Sequence, residues 1–267
     1  MLQSEVFPYY RRCVEQMNLQ YEYIKTLFEP DYVTELCEIR GYVGEEQKKL
    51  ISDMELGICV VEDPAELGDM AEELGMISST RDFLLNNRFI IPVEDIQGNL
   101  VSLIGYYNDY KKYITVPSPF FSKSVQFFNF KQAYELSWKE YGGFVILVEG
   151  IFDCLSLRSI GLPAIATMGS NVTKAKSELL KLFKKVLGIP DDDATGRKAL
   201  NRYARHGWVV PDNTTMLKFS GGIVDFNGVK LHCKDMDNFV SWYDADDVRD
   251  ILLSYRDSKE DIEELIL

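Results

Sequence analysis

From about Glu5 to Leu85, apolar residues recur at intervals of three and four, as in Tyr32, Val33, Leu36 and Ile39 and again in Leu50, Ile51 and Met54. That spacing predicts short helices with one buried face, and Gly41, Gly57 and Gly75 stand where such helices would end. Between Arg88 and Phe130 the texture changes to short β-branched and aromatic runs: RFIIPV, LVSLIGYY, KYITV and VQFFNF. These predict an antiparallel sheet whose first two strands form a hairpin around Gln97-Gly98-Asn99. From Phe144 the chain alternates continuous apolar runs of about five with amphipathic stretches. Strands are predicted at FVILV (144–148), PAIAT (163–167), KVLGI (185–189) and WVV (208–210), and helices over Ile151–Ile160, Lys174–Phe183 and Ala194–His206. Runs apolar on both faces and separated by helices are the pattern of a parallel sheet covered on both sides. Residues 216–233 read as an inserted hairpin turning at Asn227-Gly228, and 244–267 as two acidic helices.

The expected fold class is therefore α/β, α+β overall. It divides into a helical and antiparallel part over 1–143, a parallel α/β domain over 144–240 and an acidic helical tail over 241–267. At 267 residues the chain is long enough for one large domain or two small ones. No apolar run approaches the length of a membrane span, and the first twenty residues hold no uninterrupted signal-like segment, so an intracellular, cytoplasmic setting is expected.

A formal charge of −13 argues at first against nucleic acid, whose binding sites are basic. The charge is unevenly divided. Residues 1–84 carry 7 basic and 18 acidic side chains and 241–267 carry 3 and 9, whereas 144–240 carry 13 and 10. The middle is positive and both ends are acidic, which places the expected chemistry in the middle. The cysteines, Cys13, Cys37, Cys59, Cys154 and Cys233, are scattered and contain no C-x-x-C pair. With only His206 and His232 as partners they predict no zinc site, and they read as reduced core residues.

In a parallel α/β sheet, ligands sit beyond the carboxyl ends of the strands. FVILV is followed by Glu149-Gly150 and then Asp153; KVLGI is followed by Pro190 and Asp191-Asp192-Asp193. Asp235 and Asp237 follow the hairpin. Carboxylates gathered in this way raise one another's pKa and are stable as anions only beside cations. A lone acidic run is more often a solvated loop or a helix cap; two runs, each closing a buried strand, point to hard divalent ions such as Mg²⁺ or Mn²⁺. Arg197, Lys198, Arg202 and Arg205 follow on the next predicted helix, where they could face phosphates.

VEGIFDCLSLRSIGLPAIATMGS (148–170) and DDDATGRKAL (191–200) resemble the TOPRIM domain of DnaG-type primases, type IA and type II topoisomerases, OLD-family nucleases and RecR proteins. The family's Glu and Asp-x-Asp fall on Glu149, Asp191 and Asp193. The Gly-Arg-Lys-Ala continuation and the Lys234-Asp235-x-Asp237 segment resemble the primase version. Upstream, RFIIPVEDIQGNLVSLIG (88–105), KYITVPSP (112–119) and FFSKSVQFF (120–128) resemble the segment that precedes TOPRIM in the primase RNA-polymerase core. The resemblance spans roughly residues 30–240.

The resemblance implies a DNA primase, a template-directed RNA polymerase making short primers on single-stranded DNA. It implies Glu149, Asp191 and Asp193 as catalytic residues, and these with Asp235 and Asp237 as ligands of two Mg²⁺ or Mn²⁺ ions. Arg88, Lys112, Tyr113, Lys123 and Lys198 would contact template and NTPs. Tyr106 stands where the family usually has Arg; it would weaken those contacts or stack on a base. Neither the family's zinc-binding domain nor its helicase-interaction domain is expected. A replicative helicase or a separate zinc-domain initiation protein is thus an implied partner, and the reduced set suits a phage or mobile element. A TOPRIM nuclease would use the same carboxylates, and a primase-derived binding or regulatory protein would use none of them catalytically; the acidic ends fit the latter. Two divalent ions would add four positive charges to the middle and make it a surface for nucleic acid.

Overall fold

The computed structural model describes residues 3–29, 32–40, 44–107, 112–191, 208–220, 223–226, 229–260 and 262–266. The chain divides into two compact units, 1–122 and 123–267.

The first unit begins with a single long helix, α1 (Gln3–Lys25), in place of the expected series of short ones. Shorter helices follow, α2 (Tyr32–Arg40), α3 (Glu45–Asp53) and α4 (Gly68–Glu73). Gly75 at φ +70° closes α4 in the left-handed conformation that glycine adopts without strain. Strands β1 (Gly57–Ile58), β2 (Phe89–Glu94), β3 (Leu100–Tyr107) and β4 (Lys112–Thr115) pair in that order as an antiparallel sheet. The predicted hairpin is present: Asp95 Oδ1 accepts from the amides of Gln97 and Asn99, and Gly98 takes φ +85°. One face of the sheet is sealed by Ile90, Leu100 and Leu103 against Met17, Tyr21 and Ile24 of α1.

The second unit carries α5 (Phe130–Glu140), β5 (Phe144–Val148), α6 (Ile151–Ser159), β6 (Ala164–Ala166), α7 (Lys174–Leu180), β7 (Lys185–Gly188) and β8 (Thr214–Ser220). It continues with a hairpin of β9 (Ile223–Phe226) and β10 (Val229–His232), helices α8 (Met236–Trp242) and α9 (Ala245–Ser254), and β11 (Ile262–Ile266). Five strands form one sheet in the order β11-β8-β7-β5-β6, and each neighbouring pair is parallel. Every residue of β5 is buried, which explains its uninterrupted apolar sequence.

Four expectations are corrected. The units divide at 122/123 and not at 143, because Phe130 and Ala133 of α5 belong to the core of the parallel sheet. VQFFNF makes only a one-residue bridge, Phe128 to Ala166, before Asn129 turns left-handed and opens α5. WVV is not a strand; Trp208 is a core side chain, and the next sheet strand is Thr214–Ser220. The expected second acidic helix is instead β11, which pairs with β8 at the sheet edge. The predicted helix 194–206 and the Asn227-Gly228 turn lie outside the described residues. No described helix is long and apolar enough to cross a membrane.

Candidate active site

Glu149 leaves the carboxyl end of β5, and Asp191 lies just beyond the carboxyl end of β7. The two strands are neighbours in parallel register, Leu147 beside Gly188. This brings the Asp191 amide to 3.4 Å from Glu149 Oε1, a long contact that fixes the two residues side by side. The buried residues Ile189 and Pro190 carry the chain from β7 to Asp191, with the Ile189 amide donating to Leu147 O at 2.8 Å.

Gly150 then caps α6. Its φ of −91° is open to any residue, so the reason for glycine is space: a Cβ there would lie 2.4 Å from Asp153 Oδ2. That carboxylate oxygen accepts from the Gly150 amide at 3.1 Å, and its mate, Oδ1, accepts from the Asp237 amide at 2.9 Å. Asp153 is thus a buried joint between the start of α6 and the start of α8. Burial pushes its pKa well above the ordinary aspartate value, and the negative charges of Asp191, Asp235 and Asp237 push it further.

Asp235 is the N-cap of α8, accepting from the Asn238 amide at 2.9 Å, and Lys234 Nζ lies 3.7 Å from its other oxygen. Asp237 is buried, and its Oδ1 accepts from Ser156 Oγ at 2.5 Å. The structure therefore gathers Asp191, Asp235 and Asp237 around Asp153, with Glu149 beside Asp191; sequence reasoning noted Asp153 after the first strand but did not count it among the site residues. Its signal was the i, i+3 spacing from Gly150, which is that of an N-terminal capping pair. Asp193 and Lys198 lie outside the described residues.

Among the described residues no three Asp, Glu, His or Cys side chains converge closely enough to form a complete metal shell. The donor chemistry nevertheless fits a hard divalent cation. The donors are carboxylate oxygens, and the mutual repulsion registered at Asp153 is what a cation would relieve.

This repulsion has a pH signature. A carboxyl with a raised folded-state pKa contributes stability that is fully present below its unfolded pKa and is lost as pH rises through the folded value. In EDTA, Asp191→Asn removes one of the charges acting on Asp153. Thermal unfolding at a series of pH values from 4 upward should therefore show a smaller loss of stability in the variant than in the wild type. Parallel curves would rule out coupling between the two groups.

In the first unit, the carbon at the centre of the Arg88 guanidinium lies 5.4 Å from the Tyr107 ring centroid, and its Nη1 is buried with no hydrogen-bond partner among the described residues. Gly105 keeps this place open, since a Cβ there would come within 2.8 Å of Arg88 Cδ. Tyr113 is exposed on β4. The Lys112 backbone pairs with Tyr107, and its side chain lies outside the described residues. Tyr106 is only 2% exposed, with its ring 5.0 Å from that of Tyr113. The reading of Tyr106 as a base-stacking platform is thereby corrected: it packs inside the sheet. In the second unit, Lys123 is solvent-exposed.

Residues 146–240 match the Toprim-like family. The match lies within the second unit and includes the acidic residues that follow β5 and β7. Much of the chain is similar to DNA primases. It is 32% identical over 180 residues to the DNA primase of Aquifex aeolicus, covering 65% of this chain and 33% of that protein. It is 34% identical over 117 residues to the DNA primase of Thermotoga maritima, covering 42% and 20%. The chain therefore spans a third or less of the length of these relatives.

Among solved structures, the zinc-binding and RNA-polymerase domains of the Aquifex aeolicus primase superpose with a TM-score of 0.65 at 25% identity, covering 90% of this chain and 61% of that one. A DnaG catalytic core superposes with a TM-score of 0.63 at 20% identity, covering 91% and 82%. The mixed architecture, an antiparallel sheet followed by a parallel one, is the fold of DnaG-type primase catalytic cores.

Proposed function

We propose that the chain is a primase catalytic core that synthesises short RNA primers on single-stranded DNA by phosphoryl transfer. The observation that carries this reading is the juxtaposition of Glu149 and Asp191 at the ends of neighbouring parallel strands, with Asp153 and Asp235 beside them. Glu149, Asp191 and Asp193, with Asp235 from the cap of α8, would hold two Mg²⁺ or Mn²⁺ ions. When bound, such ions neutralise triphosphate charge and favour ionisation of the attacking hydroxyl.

The chain's own side chains orient and support. Glu149 is fixed on the rigid end of β5 and directs its carboxylate toward Asp191. Asp237, held by Ser156, secures α8 against α6 and so sets the direction of Asp235. Arg88, whose buried Nη1 has no hydrogen-bond partner among the described residues and whose guanidinium lies over an aromatic ring, would take a phosphate. Lys112, Tyr113, Lys123 and Lys198 would add contacts that position template and NTP without reading sequence. A DnaG catalytic domain has been solved bound to single-stranded DNA, with a TM-score of 0.63 to this chain at 18% identity, which supports the template assignment. The cell interior follows from that assignment, and a helicase or a zinc-domain initiation protein would supply the choice of start sites.

The test incubates the protein with single-stranded DNA, four NTPs and Mg²⁺ or Mn²⁺. Short RNA products that vanish in EDTA are expected. Degraded template would establish a nuclease instead. The absence of both, even with an annealed primer or a helicase supplied, would leave a binding or regulatory protein.

A further inference from the structure

Lys176, third in α7, is fully buried. Its Nζ donates to the Thr167 carbonyl and lies 5.1 Å from the centroid of the Phe127 ring. Burial lowers its pKa to about 8, and no charged neighbour contributes to that shift. An ammonium taken out of water without a counter-charge opposes folding, so the contact it makes is costly to keep.

That contact leads to Glu149. The Thr167 amide donates to Val148 O at 2.9 Å, and the next amide, of Met168, donates to Glu149 O at 3.1 Å. Thr167 Oγ1 is 3.3 Å from the same Glu149 carbonyl. Met168 reaches Glu149 only by adopting φ +57°, a left-handed conformation that a methionine resists. The turn after β6 is strained, and it grips the backbone of the residue whose carboxylate is aimed at Asp191. Strain of this kind persists where surrounding contacts enforce it. Thr167 supplies the contacts that enforce it here: its amide on β5, its hydroxyl donating across Met168 to Gly169 O, and its carbonyl accepting from Lys176.

We propose that Lys176 is a positioning residue: its ammonium clamps the Thr167 carbonyl, holds Met168 in its left-handed turn and so fixes Glu149 for the reaction. The catalytic role of Glu149 in this statement rests on the primase reading; the clamp itself does not. Phe127, packed against the ammonium, and Thr173, whose hydroxyl donates to Ser124 O, bind the 124–127 segment to the same helix.

The experiment compares wild type, Lys176→Met and Lys176→Met combined with Met168→Gly by three measurements: amide hydrogen exchange at 167–169, steady-state primer synthesis and thermal unfolding. Lys176→Met is expected to exchange the Met168 amide faster and to lower kcat roughly 10- to 100-fold through misplacement of Glu149. KM for NTP should stay within about two-fold, as for a group that acts only in the transition state. The unfolding temperature should not fall, because an apolar side chain of similar length replaces a buried charge. Adding Met168→Gly should recover part of kcat, since glycine takes the positive φ without the clamp.

Wild-type exchange at Met168 together with wild-type kcat in Lys176→Met would overturn the proposal. So would a loss of kcat that accompanies a lowered unfolding temperature and is not recovered by glycine, since that marks a merely structural lysine. If the wild-type protein makes no primers at all, the primase reading falls, and the exchange at Met168 decides the clamp by itself.

Discussion

Glu149→Gln is expected to lower primer synthesis by a factor of about 10² to 10³ while leaving the unfolding transition intact, a loss typical of removing one preorganised charged group from a polar active site. Glutamine keeps the length and an oxygen acceptor for the Asp191 amide. What it removes is the negative charge that, in the proposed function, would help to hold a divalent ion. Asp191→Asn should produce a loss of the same order for the same reason. Asp191→Asn should not be less stable in EDTA, because it removes one of the charges that push the Asp153 carboxyl upward, and Glu149→Gln should not be because it keeps the acceptor for the Asp191 amide. Labelled NTP incorporation on single-stranded DNA, with circular dichroism melting in EDTA, measures both halves of the expectation. Retention of wild-type synthesis by Glu149→Gln would remove this residue from the reaction, whatever its place in the fold.

Trp208→Ala should produce the largest loss of stability, about 3–5 kcal/mol, as expected for emptying a fully buried aromatic site. The indole is 1% exposed in the cluster formed by Val145, Leu147, Val186 and Met216, beneath the middle of the parallel sheet. It lies flush against β7: a methyl group at Gly188 would approach its Cζ3 to 3.1 Å. Its Nε1 is buried without a hydrogen-bond partner among the described residues. Trp208→Phe should therefore be milder, since it shrinks the side chain but also removes an unsatisfied donor worth about 1–3 kcal/mol. Urea titration followed by circular dichroism would check the ordering. An alanine variant as stable as wild type would mean that the site collapses around the void.

The strands β5 and β7 were legible because both of their faces are covered, so no polar residue interrupts FVILV or KVLG. β8 was not. Its sequence, TTMLKFS, holds two buried threonines, and Thr215 Oγ1 donates to Glu260 O, 45 positions further along the chain, while accepting from Lys185 Nζ. A polar residue satisfied by so distant a partner looks like a surface residue in sequence. β11 was missed for a related reason. Its IEELI pattern is that of an edge strand with acidic positions, and in an acidic segment it resembles helix until β8 is present to pair with it. Tyr106 shows the opposite case: of its two expected roles, weakened template contacts or stacking on a base, the second is excluded because the residue is buried where β3 pairs with β4.

The acidic site divides along the same line. Glu149 and Asp191 were readable because a strand end is a local feature and the carboxyl edge of a parallel sheet is where ligands bind. The sequence by itself determined the order of elements, the parallel sheet and the residues at its carboxyl edge, all of which follow from hydrophobic periodicity within short windows. Only the tertiary structure decided that Asp153 lies at the centre of the cluster, that Asp237 is held by Ser156, and that a buried lysine steadies the turn beneath Glu149. Each of these depends on a hydrogen bond or a charge–charge distance between groups apart in sequence, and such distances are set by how the helices pack and not by the pattern along any one of them.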